Sequence, residues 1–197
     1  MRGMTQYWFN ELELPNGGCL GLGCCPGYRL TPLAVIRQPG SLSGSYSYYQ
    51  DMPRIDLVLL NRKDLASVGA PVKVLADDLA ALGVEWLHLP IPNLRPPDEK
   101  FEIAWVDLWP RLDKEFQQGG RVFIDCYAGL GRTGTVASLI LMQYGVSARN
   151  AIQAVRAVRP GSIETVGQVA RMLHRATTSA RERPSPTTSS RSRSKPV

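Results

Sequence analysis

The stretch Ile124-Asp125-Cys126-Tyr127-Ala128-Gly129-Leu130-Gly131-Arg132-Thr133-Gly134 decides how the rest of this chain is read. Just before it, Arg121-Val122-Phe123-Ile124 is a short apolar run aimed at Cys126, which predicts a buried strand. Just after it, Thr133 to Tyr144 carries apolar residues at helical spacing and closes at Gly145. Between strand and helix, glycines at 129, 131 and 134 let the backbone curl. Five residues separate Cys126 from Arg132. That is enough chain to wrap successive N–H groups around one tetrahedral anion, and the positive end of the following helix adds to the field.

The residue types match that geometry. The backbone of Tyr127, Ala128, Gly129, Leu130 and Gly131 is the candidate phosphate cradle, and the Arg132 guanidinium offers a planar fork for two phosphate oxygens that lysine does not reproduce. The same positive field favours the thiolate of Cys126, a nucleophile able to attack phosphorus and form a phosphocysteine. Thr133 follows the arginine and is placed to donate its hydroxyl to the sulfur as it leaves. The competing reading makes Cys126 a buried core residue at a strand end. The complete series of strand, Cys, glycine-containing loop, Arg, hydroxyl residue and helix outweighs it. A nucleotide-binding loop is disfavoured because the Lys-Ser/Thr ending is absent.

Working outward, Ile55 to Leu60 predicts a buried strand, Arg62 to Val68 a short helix or turn, and Val72 to Leu82 a helix ended by Gly83. Glu85 to Leu89 alternates and runs into Pro90-Ile91-Pro92, as a strand entering a loop does. Residues 99–118 have the apolar spacing of an amphipathic helix, with a break expected near Trp109 because Pro110 follows. Ser147 is placed to cap a helix over Ala148 to Val158, and a last helix spans Glu164 to Arg175. Strands interleaved with helices predict an α/β fold: a single domain with a central, mostly parallel sheet covered by helices.

The chain has 197 residues, 44% of them hydrophobic, and a net charge of +6. Residues 171–197 hold seven basic residues against Glu182, so the remainder balances at 16 basic and 16 acidic. A balanced body excludes the folded part as a general nucleic-acid or membrane surface. The Ser/Thr/Arg/Pro-rich segment 177–197 is expected to be a disordered basic tail, leaving 1–176 as the domain. The longest apolar run, Val136 to Met142, is too short to span a bilayer. Four cysteines without paired spacing, and no apolar leader in Met1 to Pro15, set a reducing cytoplasmic location as the expectation. His88 and His174 stand apart from any Cys pair, so neither a metal nor another cofactor is expected.

From about Gly21 to His174 the chain resembles the cyclin-dependent kinase inhibitor 3 type of dual-specificity phosphatase, within the protein-tyrosine phosphatase superfamily. The resemblance is carried by Cys126 to Thr133, by Leu87-His88-Leu89-Pro90-Ile91-Pro92, which is similar to the strand leading into the general-acid loop, and by Gly161-Ser162-Ile163-Glu164-Thr165-Val166-Gly167-Gln168. It implies a metal-independent phosphatase with Cys126 as nucleophile, Arg132 as clamp and Gln168 placing the hydrolytic water. A solvent-facing helical glutamine is the alternative for Gln168. The absence of lysine from the loop interior favours a phosphorylated protein over a polyphosphorylated lipid or inositol as substrate.

Two departures from the family pattern bear on turnover. Asp125 stands where the family has histidine, and a charged carboxylate there would disfavour the thiolate unless it points away and accepts backbone N–H groups. Asn93 occupies the usual position of the acid aspartate and has no proton to give. Asp98 is the substitute candidate; its alternative role is at a helix N-terminus, where the dipole favours a carboxylate. These departures motivate a second reading, a pseudophosphatase that binds phosphorylated partners with little turnover. Cys24-Cys25 have two readings as well: thiols able to trap an oxidised Cys126, or small hydrophobes in a packed N-terminal turn. Ser41 to Tyr49 reads as a loop beside the site.

Overall fold

The computed structural model describes residues 9–25, 28–30, 35–37, 53–67 and 70–182. Its elements run β1 (Phe9–Glu13), β2 (Cys19–Cys24), β3 (Tyr28–Leu30), β4 (Val35–Arg37), β5 (Ile55–Val58), α1 (Arg62–Ser67), α2 (Val72–Ala81), β6 (Glu85–His88), α3 (Glu99–Gln117), β7 (Arg121–Cys126), α4 (Gly131–Gln143), α5 (Ala148–Val158) and α6 (Val166–Glu182). Five strands form one sheet in the order β1-β2-β7-β5-β6, parallel throughout except for β1, which pairs antiparallel with β2. β3 and β4 form a separate two-stranded ribbon. The expected α/β architecture is therefore observed.

β7 lies in the middle of the sheet, between β2 and β5. Residues of both parities along it are buried, Val122 and Ile124 on one face and Phe123 and Asp125 on the other, so both faces of the sheet are covered. Helices α3 and α4 both pack on β7. Residues Gly131 to Leu141 of α4 are all buried, the mark of a helix enclosed by the fold rather than lying on its surface. Fully buried Leu20, Leu22, Leu57 and Ile124 each contribute about 1.5–3 kcal/mol of hydrophobic stabilisation. Among the described residues, no helix is long and apolar enough to cross a membrane.

Three expectations need correction. Helix α3 runs through Pro110 without a break. Pro110 removes only the bond to the carbonyl of Val106, a residue 69% exposed, while Phe101, Trp105, Leu112 and Phe116 bury the opposite side and hold the helix together. Helix α6 continues to Glu182, past the tail boundary set at Thr177, because adding a residue to a formed helix is far easier than nucleating one. Cys24 ends a strand rather than sitting in a turn. That strand went unread because Gly21 and Gly23 interrupt its side-chain pattern, whereas pairing with β1 and β7 supplies its stability. The segment Ser41 to Tyr49 lies outside the described residues.

Candidate active site

Parallel strands β2, β7, β5 and β6 all point their carboxyl ends to one edge of the sheet, the edge at which open α/β sheets bind ligands. β7 ends there in Cys126, which is buried, and the chain passes through Tyr127 to Leu130 into α4. Leu130 is the N-cap and offers no side-chain cap to the first amides of α4. Those amides are left for a ligand. Gly129 makes the curl at φ +68°, and a Cβ there would lie 2.3 Å from the Gly23 carbonyl carbon and oxygen. Only glycine fits this loop against β2.

Arg159 braces the loop from behind. Its guanidinium donates to the carbonyl oxygens of Gly129 and of Ala128 (3.2 Å) and to Oδ1 of Asn10 (2.8 Å). Sequence reasoning missed this residue; an arginine before Pro160-Gly161 gives no local signal for a contact about thirty positions upstream.

Arg132 is 3% exposed, and its Nη1 donates to Asp64 Oδ2 at 2.6 Å and to the Ile91 carbonyl at 3.3 Å. Its Nε and Nη2 carry no hydrogen bond to the described residues and remain for an anion. The Thr133 hydroxyl is buried without a hydrogen-bond partner among the described residues, an orphaned donor at the head of α4. Gln168 is buried, not solvent-facing. Its Oε1 accepts from Thr165 N at 3.1 Å and its Nε2 donates to the Arg95 carbonyl at 3.4 Å, tying α6 to the loop after β6.

A pocket of about 160 Å³ is lined by Asn93, Leu94, Cys126, Tyr127, Ala128, Arg132 and Glu164. The structure thus brings together Cys126, Tyr127, Ala128 and Arg132 from the sequence candidates, and adds Leu94 and Glu164. Asp98 does not line it. Its Oδ1 accepts from Phe101 N at 2.9 Å as the N-cap of α3, so the helix-terminal alternative is the role the structure gives it, not that of an acid at the pocket. Thr133, Gln168, Gly129, Leu130 and Gly131 stand behind the lining, in the loop and the helix ends that shape it. Among the described residues no cluster of His, Cys, Asp or Glu is arranged to hold a metal ion.

Asp125 points away from Cys126, as one of the two sequence alternatives has it, but without the backbone N–H donors that alternative expects. Successive residues on a strand point to opposite faces, so its side chain leaves β7 on the face away from Cys126, and no backbone N–H donates to it. It lies beside Asp56 of β5, and burial, then the Asp56 carboxyl, push its pKa well above the usual carboxylate range. That shift favours the neutral form, in which Asp125 carries no charge to oppose the thiolate. Burial, then Asp125, likewise push the Cys25 thiol well up. Cys24 is on the other face, in register with Cys126, and burial raises its pKa too.

A family described as "Swiss Army Knife protein, DSP-PTPase phosphatase domain" matches residues 74–172, half of the chain and every residue that lines the pocket. This chain belongs to the dual-specificity and protein-tyrosine phosphatase family. Rat cyclin-dependent kinase inhibitor 3 is 29% identical over 170 residues, covering 83% of this chain and 76% of that protein. Zebrafish protein tyrosine phosphatase domain-containing protein 1 is 47% identical over 53 residues; these are 26% of this phosphatase-family chain but 7% of that relative, so the chain matches only a small part of it. A crystal structure of kinase associated phosphatase, with its catalytic-site cysteine replaced by serine, superposes with a TM-score of 0.74 at 23% identity, covering 90% of this chain and 98% of that one. That likeness establishes the fold of this family member.

Proposed function

We propose that this member of the family hydrolyses phosphomonoesters through a phosphocysteine on Cys126, acting on phosphotyrosine in proteins, with phosphoserine and phosphothreonine as further substrates. The observation that carries the reading is the convergence of Cys126 and the open face of Arg132 on one small pocket at the uncapped start of α4. A phosphoryl group seated there meets Arg132 and the loop amides, donors matched to the charge that spreads over its oxygens during transfer. The Cys126 thiolate attacks phosphorus, the leaving oxygen departs, and water placed near Gln168 releases phosphate. The Thr133 hydroxyl supplies a donor to the departing sulfur.

Substrate class follows from the walls. Arg132 is the one cation among the lining residues, and one of its donors is engaged by Asp64. Leu94 and Tyr127, 53% and 36% exposed, form an apolar mouth suited to an aromatic ring rather than to several phosphates. The likeness to proteins named for kinase association supports a phosphorylated protein as partner. The reaction calls on no metal, and a reducing cytoplasmic setting suits a thiolate nucleophile.

Turnover of an aryl phosphate in the presence of chelator is the test. Activity abolished by Cys126→Ser is expected; activity that persists in that variant would sink the reading. A second reading rests on Asn93 at the pocket: with no proton to give there, the chain would bind phosphotyrosyl peptides and release them unchanged. Robust turnover of a phosphotyrosyl peptide by the unmodified chain rules it out.

A further inference from the structure

We propose that Glu164 is the catalytic proton carrier of this site, donating to the leaving oxygen in the first step and accepting from water in the second. The inference rests on the phosphatase reading above and assigns the acid that Asn93 cannot be.

The candidates reduce to one by position. Asp98 is engaged as the N-cap of α3, the Asp64 carboxylate is taken by Arg132, and Asp125 and Asp56 are buried on the face of the sheet away from Cys126. Glu164 supplies the only carboxylate among the residues lining the pocket. It also lies against the head of α4: a Cβ added at Gly131 would stand 2.3 Å from Glu164 Oε2, and 3.1 Å from Gln168 Nε2. The carboxylate and the buried amide therefore share the space that glycine leaves open at position 131.

A second, independent feature fixes where Glu164 departs from the backbone. Ile163 before it has φ +60°, a conformation that a β-branched residue rarely adopts. Arg156 holds that turn with two donors, Nε to the Ser162 carbonyl and Nη2 to the Ile163 carbonyl, both at 3.0 Å. Ile163 N donates in turn to the Leu130 carbonyl at 3.3 Å. A strained turn clamped by a neighbouring arginine and bonded to the phosphate loop aims its next side chain at the pocket. Strain of this kind persists where the surroundings enforce it, and it gathers at functional sites.

The chemistry balances without a further reactant. As the S–P bond forms and the P–O bond to the leaving group breaks, the Glu164 proton passes to the departing oxygen. Water then attacks phosphorus, the S–P bond breaks and returns the thiolate, and the water proton passes to the Glu164 carboxylate. The group ends as it began.

The experiment measures kcat and KM for the full chain, Glu164→Gln and Asp98→Asn. The substrates are a phosphotyrosyl peptide and aryl phosphates whose leaving phenols span a range of acidity, each followed across pH. Loss of a positioned acid costs about 10²- to 10⁴-fold in kcat, so Glu164→Gln is expected to lose that much on the peptide. It should lose less on the most acidic phenol, show a steeper dependence on leaving-group acidity, and lack the pH limb at which deprotonation of the acid slows the reaction. KM is expected to stay level or fall, since a negative charge beside a dianion is removed, and the melting temperature should not change. Asp98→Asn is expected to keep the leaving-group dependence of the wild type. A Glu164→Gln variant with unchanged kcat and unchanged leaving-group dependence, while Cys126→Ser is inactive, overturns this proposal and leaves the phosphatase reading intact. No turnover of any aryl phosphate by the unmodified chain overturns both.

Discussion

Asp64 Oδ2 accepts a 2.6 Å hydrogen bond from Arg132 Nη1, joining the short helix after β5 to the phosphate loop across 68 positions of sequence. The pair holds a nearly buried guanidinium so that its other donors face the pocket. Without an anion, Arg132 relies on Asp64 and one carbonyl to offset its loss of water. Asp64→Asn keeps an acceptor and removes the charge. The expected result is a stability loss of about 1–3 kcal/mol in the unliganded protein, part of it recovered on adding inorganic phosphate. With the fork less firmly aimed, kcat should fall roughly tenfold. Thermal melting with and without phosphate, together with aryl-phosphate kinetics, checks both halves.

Arg159 turns the Ala128 and Gly129 carbonyls outward and so leaves the intervening amide free to face the pocket. Lysine keeps the charge but cannot bridge two carbonyls and Asn10 at once. Arg159→Lys is therefore expected to weaken inhibition by inorganic phosphate and to lower kcat/KM by about 10- to 100-fold, at a stability cost near 2 kcal/mol. Equal phosphate inhibition in variant and wild type would show that the loop holds its shape unaided.

Burial, then the adjacent Asp56, favour the protonated form of Asp125 in the fold. In the unfolded chain an aspartate ionises near pH 3.9. Above that pH the unfolded state gains by releasing a proton that the folded state retains, so the raised carboxyl subtracts from stability as pH rises through about 4 toward neutrality. Asp125→Asn removes the ionisable group and with it the penalty. The variant should melt higher than wild type at pH 7, and the gap should close as pH falls to about 4. A gap that widens on acidification contradicts the assignment.

Cys24 and Cys126 are register partners on neighbouring parallel strands and point to the same face. Strands about 4.8 Å apart bring their Cα atoms within the range of about 4.4–6.8 Å that a disulfide spans. Peroxide would oxidise the Cys126 thiolate to a sulfenic acid, and the Cys24 thiol would displace water from it to form the bridge. Wild-type activity lost to peroxide should return with dithiothreitol, and mapping of unreduced peptides should find β2 joined to β7. Cys24→Ser should lose activity irreversibly, whereas Cys25→Ser, altered on the opposite face beside Asp125, should behave as wild type.

Much of this was legible in the chain. The strand–loop–helix around Cys126 writes its strand, curl and helix in adjacent residues, and a mostly parallel sheet follows from strands separated by helices. Ser147 capping α5 was equally local: its hydroxyl accepts from Asn150 N at 3.3 Å. The rest depends on distance. β2 was missed because Gly21 and Gly23 leave it little signal of its own, and β1 because its five residues bury only Leu12 and are held as a strand by pairing with β2. The break expected at Pro110 was overridden by the apolar residues that α3 buries on its other side. Asp98 carried two roles that the sequence could not separate, and the hydrogen bond to Phe101 N identifies one of them.

By itself the sequence determined that a thiol and a guanidinium, with five residues between them, would share one curled loop between a strand and a helix, because that spacing is set locally. Only the tertiary structure decided what surrounds them. It turned Asp125 to the far face beside Asp56, set Arg159 behind the loop, gave Asp98 to a helix end, and brought Glu164 to the pocket. Each of these depends on which elements pack together, and a side chain's charge, proton and reach are set by neighbours that lie far from it along the chain.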